Sequence, residues 1–303
     1  MKIALLFTCY NRIEKTRDCV ESINKAIECA NNSLRKQGEG LIEEEWYITD
    51  AGSDDGTVDI LKHMIKQENL HLKIASNDTF YSQGMRIAME ELKKSYKDED
   101  NFPDYVFLIN DDVSFYEEFI CKLLDSIRIL QEEDCTTNKA IIVGATDNGV
   151  EQTYGGVKYR KPVRRRLFPQ TIHYDMVSVS AEDKTCDTFN ANCVVIPGDI
   201  FLREDIMDNN YVHGLGDFDY GLSFRKKGYS IVTSDYYVGK CSNNSREGSW
   251  MDRSLTRKDR IKELNSFKGS PTKQWFYFLN KNFGFTTAVI YSVSPYIRIL
   301  IKK

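Results

Sequence analysis

Apolar residues run unbroken over Ile3–Phe7 and Tyr105–Ile109, and each run ends in a polar stretch. Short continuous apolar runs bounded in this way predict strands buried on both faces. Trp46–Thr49, Leu72–Ala75, Ala140–Gly144, Asn192–Ile196 and Ile231–Ser234 read as further strands. Between them the period changes. Ile13–Arg35 carries Val20, Ile23, Ala26, Ile27, Ala30 and Leu34 at helical spacing. Val58–Lys66, Gln83–Ser95, Phe115–Gln131 and Asp219–Lys227, the last closed by Gly228, have the same character. Strands alternating with helices at this spacing predict an α/β fold with a doubly wound, mostly parallel sheet.

After Thr146 the alternation breaks. Tyr154–Tyr159 and Thr171–Ser180 read as a small antiparallel excursion, bridged by Lys161-Pro-Val-Arg-Arg-Arg166. From Arg257 the chain is helical in tendency. Repeats, low-complexity tracts and an interdomain linker are absent from the sequence. The expected layout is one continuous domain over 1–240 and a C-terminal helical appendage over 241–303, rather than two equal domains.

The 303 residues are 41% hydrophobic and 28% charged. That composition excludes a mainly disordered chain, a collagen and a polytopic membrane protein. Forty-one Lys and Arg stand against 45 Asp and Glu, a net charge of −4, which argues against a nucleic-acid partner. The charge is unevenly placed: Lys240–Lys303 holds 13 basic and 4 acidic residues, net +9, leaving −13 on the rest. A basic, partly apolar tail on an acidic body suggests a surface partner such as an anionic membrane. Phe285–Ile301 is interrupted by Pro295 and Arg298 and falls short of the ~20 apolar residues of a spanning helix. Peripheral docking and packing on the domain both suit it.

Eight scattered cysteines form no CxxC pair, and His63, His71, His173 and His213 lie far apart, so zinc spacing is absent. Ile3–Phe7 is too short for a signal-peptide core. The expected compartment is a reducing cytosol, with peripheral attachment to the inner face of the plasma membrane compatible with the tail.

In an open α/β sheet, ligands bind beyond the carboxyl ends of the strands. Four polar clusters fall there: Thr8–Asn11, Asp50–Thr57, Asn110–Asp112 and Gly214–Asp219. No GxxxxGK[ST] and no GxGxxG follows a strand, which removes the P-loop and dinucleotide readings. Asn110 and Asp112 alternate along an extended chain and can face one ligand, with Asp111 turned elsewhere. Hard oxygen donors there suit Mg²⁺ or Mn²⁺, and equally suit a turn. Asp50 at a strand tip can accept a nucleobase N–H, while Ser53 or Asp54 can cap the following helix. Asp217 and Asp219 open a helix, where a carboxylate serves either as cap or as general base.

Cys9-Tyr-Asn-Arg12, Asp50-Ala-Gly-Ser-Asp-Asp-Gly-Thr57, Leu108-Ile-Asn-Asp-Asp-Val113 and Gly216-Asp-Phe-Asp-Tyr-Gly-Leu-Ser-Phe-Arg225 occur in that order. Together they resemble the motif series of the family 2 glycosyltransferases of the GT-A fold. Phe80-Tyr-Ser-Gln-Gly-Met85, Phe189-Asn-Ala-Asn192, His213-Gly-Leu-Gly-Asp-Phe-Asp-Tyr-Gly221 and Lys268-Gly269 resemble a bacterial branch of that family. Two positions depart from the pattern. Gly216 stands where many members have Glu, and Asn110 where many have the first Asp of DXD.

The resemblance implies an inverting transfer of a sugar from a nucleoside diphosphate donor, most often a UDP-sugar. The acceptor would be a hydroxyl of a glycan or lipid-linked molecule in bacterial surface polysaccharide synthesis. It implies a nucleotide-binding half over about 1–112 and an acceptor half over about 113–240. Thr8, Tyr10, Asn11, Asp50, Ser53, Asp55, Gly84, Asn110 and Asp111 would line the nucleotide site. Asp112, Asp111 and His213 are the metal candidates, for Mn²⁺ or Mg²⁺. Asp217 maps to the base, with Asp219 as competitor. Asn190, Asn192 and Trp250 are candidates for sugar or acceptor contact, Phe80 and Tyr81 for stacking, and Arg225 for a phosphate or a helix-face salt bridge. A sugar-nucleotide pyrophosphorylase-like enzyme and a non-catalytic nucleotide-sugar binding subunit remain rival readings, and homo-oligomerisation is left open.

Overall fold

A computed structural model describes residues 1–96, 101–133, 140–160, 173–243 and 245–301. Arg164–Arg166, Thr171, Cys135, Asn244, Lys302 and Lys303 lie outside the described residues. The chain runs β1 (Lys2–Cys9), α1 (Ile13–Gln37), β2 (Glu43–Asp50), α2 (Thr57–Met64), β3 (Leu70–Ile74), α3 (Tyr81–Ser95) and β4 (Tyr105–Ile109). It continues through β5 (Ser114–Phe115), α4 (Phe119–Glu133), β6 (Ile141–Asp147), β7 (Gln152–Tyr154), β8 (Gly156–Tyr159) and β9 (Tyr174–Met176). Next come β10 (Thr188–Phe189), β11 (Cys193–Pro197), α5 (Gly198–Arg203), α6 (Gly216–Lys226) and β12 (Ile231–Lys240). The last elements are α7 (Arg257–Leu264), α8 (Thr272–Phe283), α9 (Phe285–Tyr291) and α10 (Ser294–Ile301).

The nine-stranded main sheet has the order β3-β2-β1-β4-β11-β6-β12-β5, with β7 paired to β6. The pairs β1–β2, β2–β3, β1–β4 and β6–β12 are parallel, and β11 lies antiparallel between β4 and β6. This is the mostly parallel sheet that the alternating pattern predicts. The antiparallel excursion is a second sheet, β10-β8-β9.

The continuous apolar runs have the two-sided burial expected of them. Ile3, Leu5, Phe7 and Cys9 of β1 join one core with α1 and α4, while Ala4 and Leu6 join the other with α3, α5 and α6. Phe107 and Ile109 against Val106 and Leu108 repeat the alternation on β4. Helix α1 buries Val20, Ile23, Ala26, Ile27, Ala30 and Leu34, the stripe read from the sequence, and ends at Gly38 in the left-handed region.

Strand pairing moves three boundaries. The helix expected from Phe115 starts at Phe119, because Ser114–Phe115 pairs antiparallel with Gly239–Lys240. Strand β12 extends past Ser234 to Lys240 through two register shifts. Tyr154–Tyr159 breaks at Gly155, sending β7 to the main sheet and β8 to the small one. Helix α6 begins at Gly216, so Asp217 and Asp219 both lie in its first turn rather than ahead of it.

Two close approaches set where α3 and α6 sit. Gly84 of α3 presses on β1, where a methyl group would stand 2.2 Å from Thr8 Oγ1. Gly216 presses on α3, where a methyl group would stand 2.4 Å from Ser82 Oγ and 2.9 Å from its Cβ. The C-terminal helices are fastened to α6 from its other side. Tyr211, Leu222, Phe278, Leu279 and Ala288 form a third core, and Asp219, 1% exposed, accepts hydrogen bonds from Lys281 Nζ (2.6 Å) and Asn282 Nδ2 (2.8 Å) of α8.

Two stability predictions follow from these contacts. Lys281→Met leaves the buried Asp219 carboxylate without its cation and costs about 3 kcal/mol. Urea denaturation measures it, and an unchanged midpoint would show that the pair does not hold the C-terminal helices. Gly216→Ala costs about 1–3 kcal/mol through overpacking. Adding Ser82→Gly recovers part of that loss, whereas strictly additive single costs would contradict the close approach.

Candidate active site

The carboxyl ends of β1, β2 and β4 lie side by side, with Cys9 opposite Asp50 and Leu6 opposite Leu108 in register. Ladder hydrogen bonds and two-sided burial leave no room for polar side chains along these strands, so the chemistry collects where the ladders stop. The loops after β1 and β2 are knitted together. Asn11, in the left-handed region at φ 47°, donates its N–H to Ser53 Oγ (2.9 Å), and its Oδ1 accepts Asp54 N–H (2.9 Å). Asp55 serves two helix starts, accepting Ile13 N–H of α1 (2.9 Å) and Thr57 N–H of α2 (3.0 Å). The cap expected of Ser53 or Asp54 therefore belongs to Asp55, because Ser53 and Asp54 are spent on joining the loops. Burial opposes ionisation, but the Thr57 hydroxyl and then those N–H groups hold the Asp55 carboxyl below its ordinary value.

Asp50 is fully buried. Its Oδ1 accepts Ser53 N–H (2.7 Å), and its Oδ2 accepts Ser53 Oγ–H (2.6 Å) and Cys9 Sγ–H (3.4 Å). In this arrangement Asp50 organises the turn and has no surface open to a base. Thr8 Oγ1 donates to Thr49 carbonyl (3.0 Å), and Tyr10, 44% exposed, stands at the mouth. Gly84 is buried, and its close approach to Thr8 packs α3 on β1.

The Asn110-Asp111-Asp112 turn carries the strongest local charge. Arg12 Nη1 lies 3.1 Å from Asp111 Oδ1 and 3.2 Å from Asp112 Oδ2, and Lys15 Nζ lies 3.7 Å from Asp112. Asp111, 4% exposed, also accepts from Thr16 Oγ1 (3.4 Å). It therefore turns into α1, away from the opening, as the alternation predicts. Burial pushes its carboxyl up to about 6 against the pull of Arg12. Burial opposes the charge on Arg12, but Asp111 and Asp112 outweigh it and hold the guanidinium above its ordinary value. Asp112 remains partly exposed, with Cys241 Sγ 3.8 Å from Oδ1. Burial, then Asp112, pushes the Cys241 thiol up to about 12.

Asp217 occupies the first turn of α6, where Phe218 N–H (2.8 Å) and Ala191 N–H (3.3 Å) hold its two oxygens. Burial pushes it up to about 6, with the backbone N–H groups opposing. Asp219, two residues on, points to the far side of the helix and is spent on α8. It makes no cap for its own helix. The position before Asp217 holds Gly216, and Ser82 leaves no space for a side chain there.

Tyr81 opens α3, the helix on which Gly216 packs. Its hydroxyl is buried without a partner and lies in the field of both Asp217 and Asp112, which together with burial raise it. Two more buried polar atoms are unpaired here, Asn110 Oδ1 and His213 Nδ1. Burial first, then Lys268 and Arg12, lowers the His213 imidazole. Unpaired buried polar atoms are uncommon in folded proteins, and Asn110 Oδ1 beside Asp112 is a hard acceptor set of the kind Mg²⁺ or Mn²⁺ takes. Among the described residues no group of three or more His, Cys, Asp or Glu side chains is close enough to form a protein-only metal site. The residues present therefore fit an ion shared with a ligand's phosphate oxygens, not a closed cage.

The remaining candidates divide. Asn192 is 5% exposed, its Nδ2 donates to Cys241 Sγ (3.4 Å) and its carbonyl accepts Asn110 N–H (3.2 Å), so it braces the Asn110–Asp112 turn from just ahead of β11. Asn190 N–H donates to Gly155 carbonyl (3.2 Å) in the same loop that holds Asp217. Phe80 meets the His213 ring at 5.9 Å and Phe267 at 5.4 Å, so the segment ahead of α8 reaches the site. Trp250 offers its carbonyl to Arg260 Nε (2.9 Å), and no hydrogen bond or ring contact among the described residues joins it to the carboxylates. Arg225 pairs with Asp187 (3.6 Å), the salt-bridge alternative. Sequence reasoning missed Arg12 as the cation of the site and the buried, unpaired Tyr81 hydroxyl. Arg12 was visible within Cys9-Tyr-Asn-Arg12, but nothing in the spacing places it beside residues 99 and 100 positions away.

No protein-family model matches the chain, and no curated protein matches it in sequence. Solved structures do match. The mannosyltransferase PcManGT from Pyrobaculum calidifontis, in complex with GDP-Man and Mn²⁺, aligns with a TM-score of 0.54 at 11% identity, covering 98% of this chain and 72% of that one. S. aureus TarS 1–349 in complex with UDP-GlcNAc aligns with a TM-score of 0.51 at 15% identity, covering 99% of this chain and 80% of that one. The same TarS fragment with UDP aligns at 0.50 and 14% identity. The chain has the fold of these GT-A glycosyltransferases.

Proposed function

We propose that this protein is an inverting glycosyltransferase that moves a sugar from a nucleoside diphosphate donor to an acceptor hydroxyl. The observation that carries it is that consecutive residues hold both acidic groups: Ala191 N–H donates to the partly buried helix-N-terminal carboxylate Asp217, and Asn192 carbonyl accepts Asn110 N–H of the strand-end turn Asn110–Asp112. The motif series and the shared fold support the same reading. A UDP-sugar donor, a glycan or lipid-linked acceptor and a role in bacterial surface polysaccharide synthesis belong to the proposal through the family resemblance.

Asp112 and the Asn110 carbonyl would hold Mn²⁺ or Mg²⁺ when it is bound. The ion supplies Lewis-acid neutralisation of charge on the departing diphosphate. Arg12, held between Asp111 and Asp112, offers a guanidinium for phosphate oxygens at the same edge. Asp217 takes the proton of the acceptor hydroxyl as that oxygen attacks the anomeric carbon and the bond to the diphosphate breaks. Its two backbone donors fix the carboxylate without neutralising it. Its raised value near 6 leaves it ionised, yet basic enough to accept a proton, at pH 7.

Isothermal calorimetry with UDP and GDP in the presence of Mn²⁺ tests the donor site, and absence of binding to any nucleoside diphosphate would refute the reading. Asp217→Asn is expected to keep nucleotide binding and to lose ~10²–10⁴-fold in turnover. Wild-type turnover in that variant would remove the base from this position. The pH profile gives a further check. Because the base must be ionised and its value is raised to about 6, kcat/KM is expected to fall about tenfold per unit below pH 6 and to level off above it. An acid limb centred near pH 4 would contradict the buried carboxylate.

A further inference from the structure

Helices α9 and α10 run almost without a break, since Ser292 N–H bonds Ala288 carbonyl (3.0 Å) and Ile297 N–H bonds Val293 carbonyl (3.1 Å) across the junction. One face packs on the protein through Ala288, Ser292, Pro295 and Ile299. The opposite face, also at near four-residue steps, leaves Phe285 (66%), Val289 (48%), Val293 (48%), Ile297 (48%), Leu300 (54%) and Ile301 (75%) exposed. Six of the fourteen large apolar side chains exposed among the described residues thus fall within seventeen positions. A continuous apolar stripe of this kind marks an interaction surface.

Charge identifies what covers it. Between Leu264 and Lys303 the sequence has six basic residues, Lys268, Lys273, Lys281, Arg298, Lys302 and Lys303, and no Asp or Glu. Lys281 is engaged by Asp208 and Asp219, and among the described residues Lys268, Lys273 and Arg298 carry no ion pair. A second copy docking on this face would bring two cationic segments together, with like charges opposed. An anionic bilayer matches both features, receiving the apolar stripe at the headgroup boundary and the Lys and Arg at the lipid phosphates. Among the described residues no helix is long and apolar enough to cross a membrane. With its other face packed on α7 and α8, this one is built to lie along the surface.

We infer that α9–α10 is an interfacial docking element for an anionic lipid bilayer. Helix α10 packs on α7, and the segment that follows α7 places Phe267 against Phe80 at the site. Docking would therefore set the mouth of the site close to the headgroups, where an acceptor carried on a lipid is presented. The surface itself is independent of the chemistry assigned to Asp217, and its test needs no turnover.

Co-sedimentation of the full chain with vesicles of about 70% phosphatidylcholine and 30% phosphatidylglycerol is expected to bind it. Partitioning should be at least ~tenfold stronger than on pure phosphatidylcholine and should weaken with added salt. Ile297→Asp with Leu300→Asp, both at exposed positions, is expected to reduce binding by ~tenfold or more. The milder pair Val293→Ser and Ile297→Ser lowers it by a smaller factor, with an unchanged melting curve confirming the fold. No binding to the anionic vesicles, or binding unchanged in both double variants, overturns the inference. So does sedimentation equilibrium showing that the face instead joins two copies and that the vesicles do not compete.

Discussion

Burial of β1 and β4 on both faces is the constraint on which the rest of the molecule depends. A strand covered on two sides carries apolar residues at every position, so polar groups can appear only where the ladder ends. Ile3–Phe7 and Val106–Ile109 obey this without exception, and Cys9, Asp50 and Asn110–Asp112 gather at one edge as a result. Two adjacent carboxylates at such an edge repel, and Asp111 is almost fully buried. Arg12 and Lys15, delivered by the first turn of α1, supply the compensating charge.

Around that edge the loops are held by side chains that bond main-chain groups. Asn11, Ser53 and Asp55 tie the starts of α1 and α2 together, so the loops after β1 and β2 form one unit. On the other side, the absence of side chains at Gly84 and Gly216 lets α3 close on β1 and α6 close on α3. This stacking carries Asp217 into the field of Tyr81. Helix α6 then uses its two acidic residues for different ends, since positions two apart face opposite sides. Asp217 faces the site, while Asp219 anchors α8 and with it the apolar–basic C-terminal surface.

The parallel strands, the long amphipathic helices and the location of polar clusters at strand ends were legible in the chain. Each is a local consequence of hydrophobic period, and α1 buries the stripe its spacing predicts. The three revised boundaries, at Phe119, Lys240 and Gly155, all reflect pairing with a partner strand remote in sequence, which no local period encodes. The same holds within the site. That Asp111 turns inward and Asp112 outward follows from strand alternation, but that Arg12 bridges them depends on residues about 100 positions away. Asp217 and Asp219 were indistinguishable as an Asp-x-Asp pair at a helix start. Only the packing of α8 on Asp219 and the Ala191 N–H on Asp217 tell the two apart, because burial and partners, unlike residue type, are set by the assembled layers.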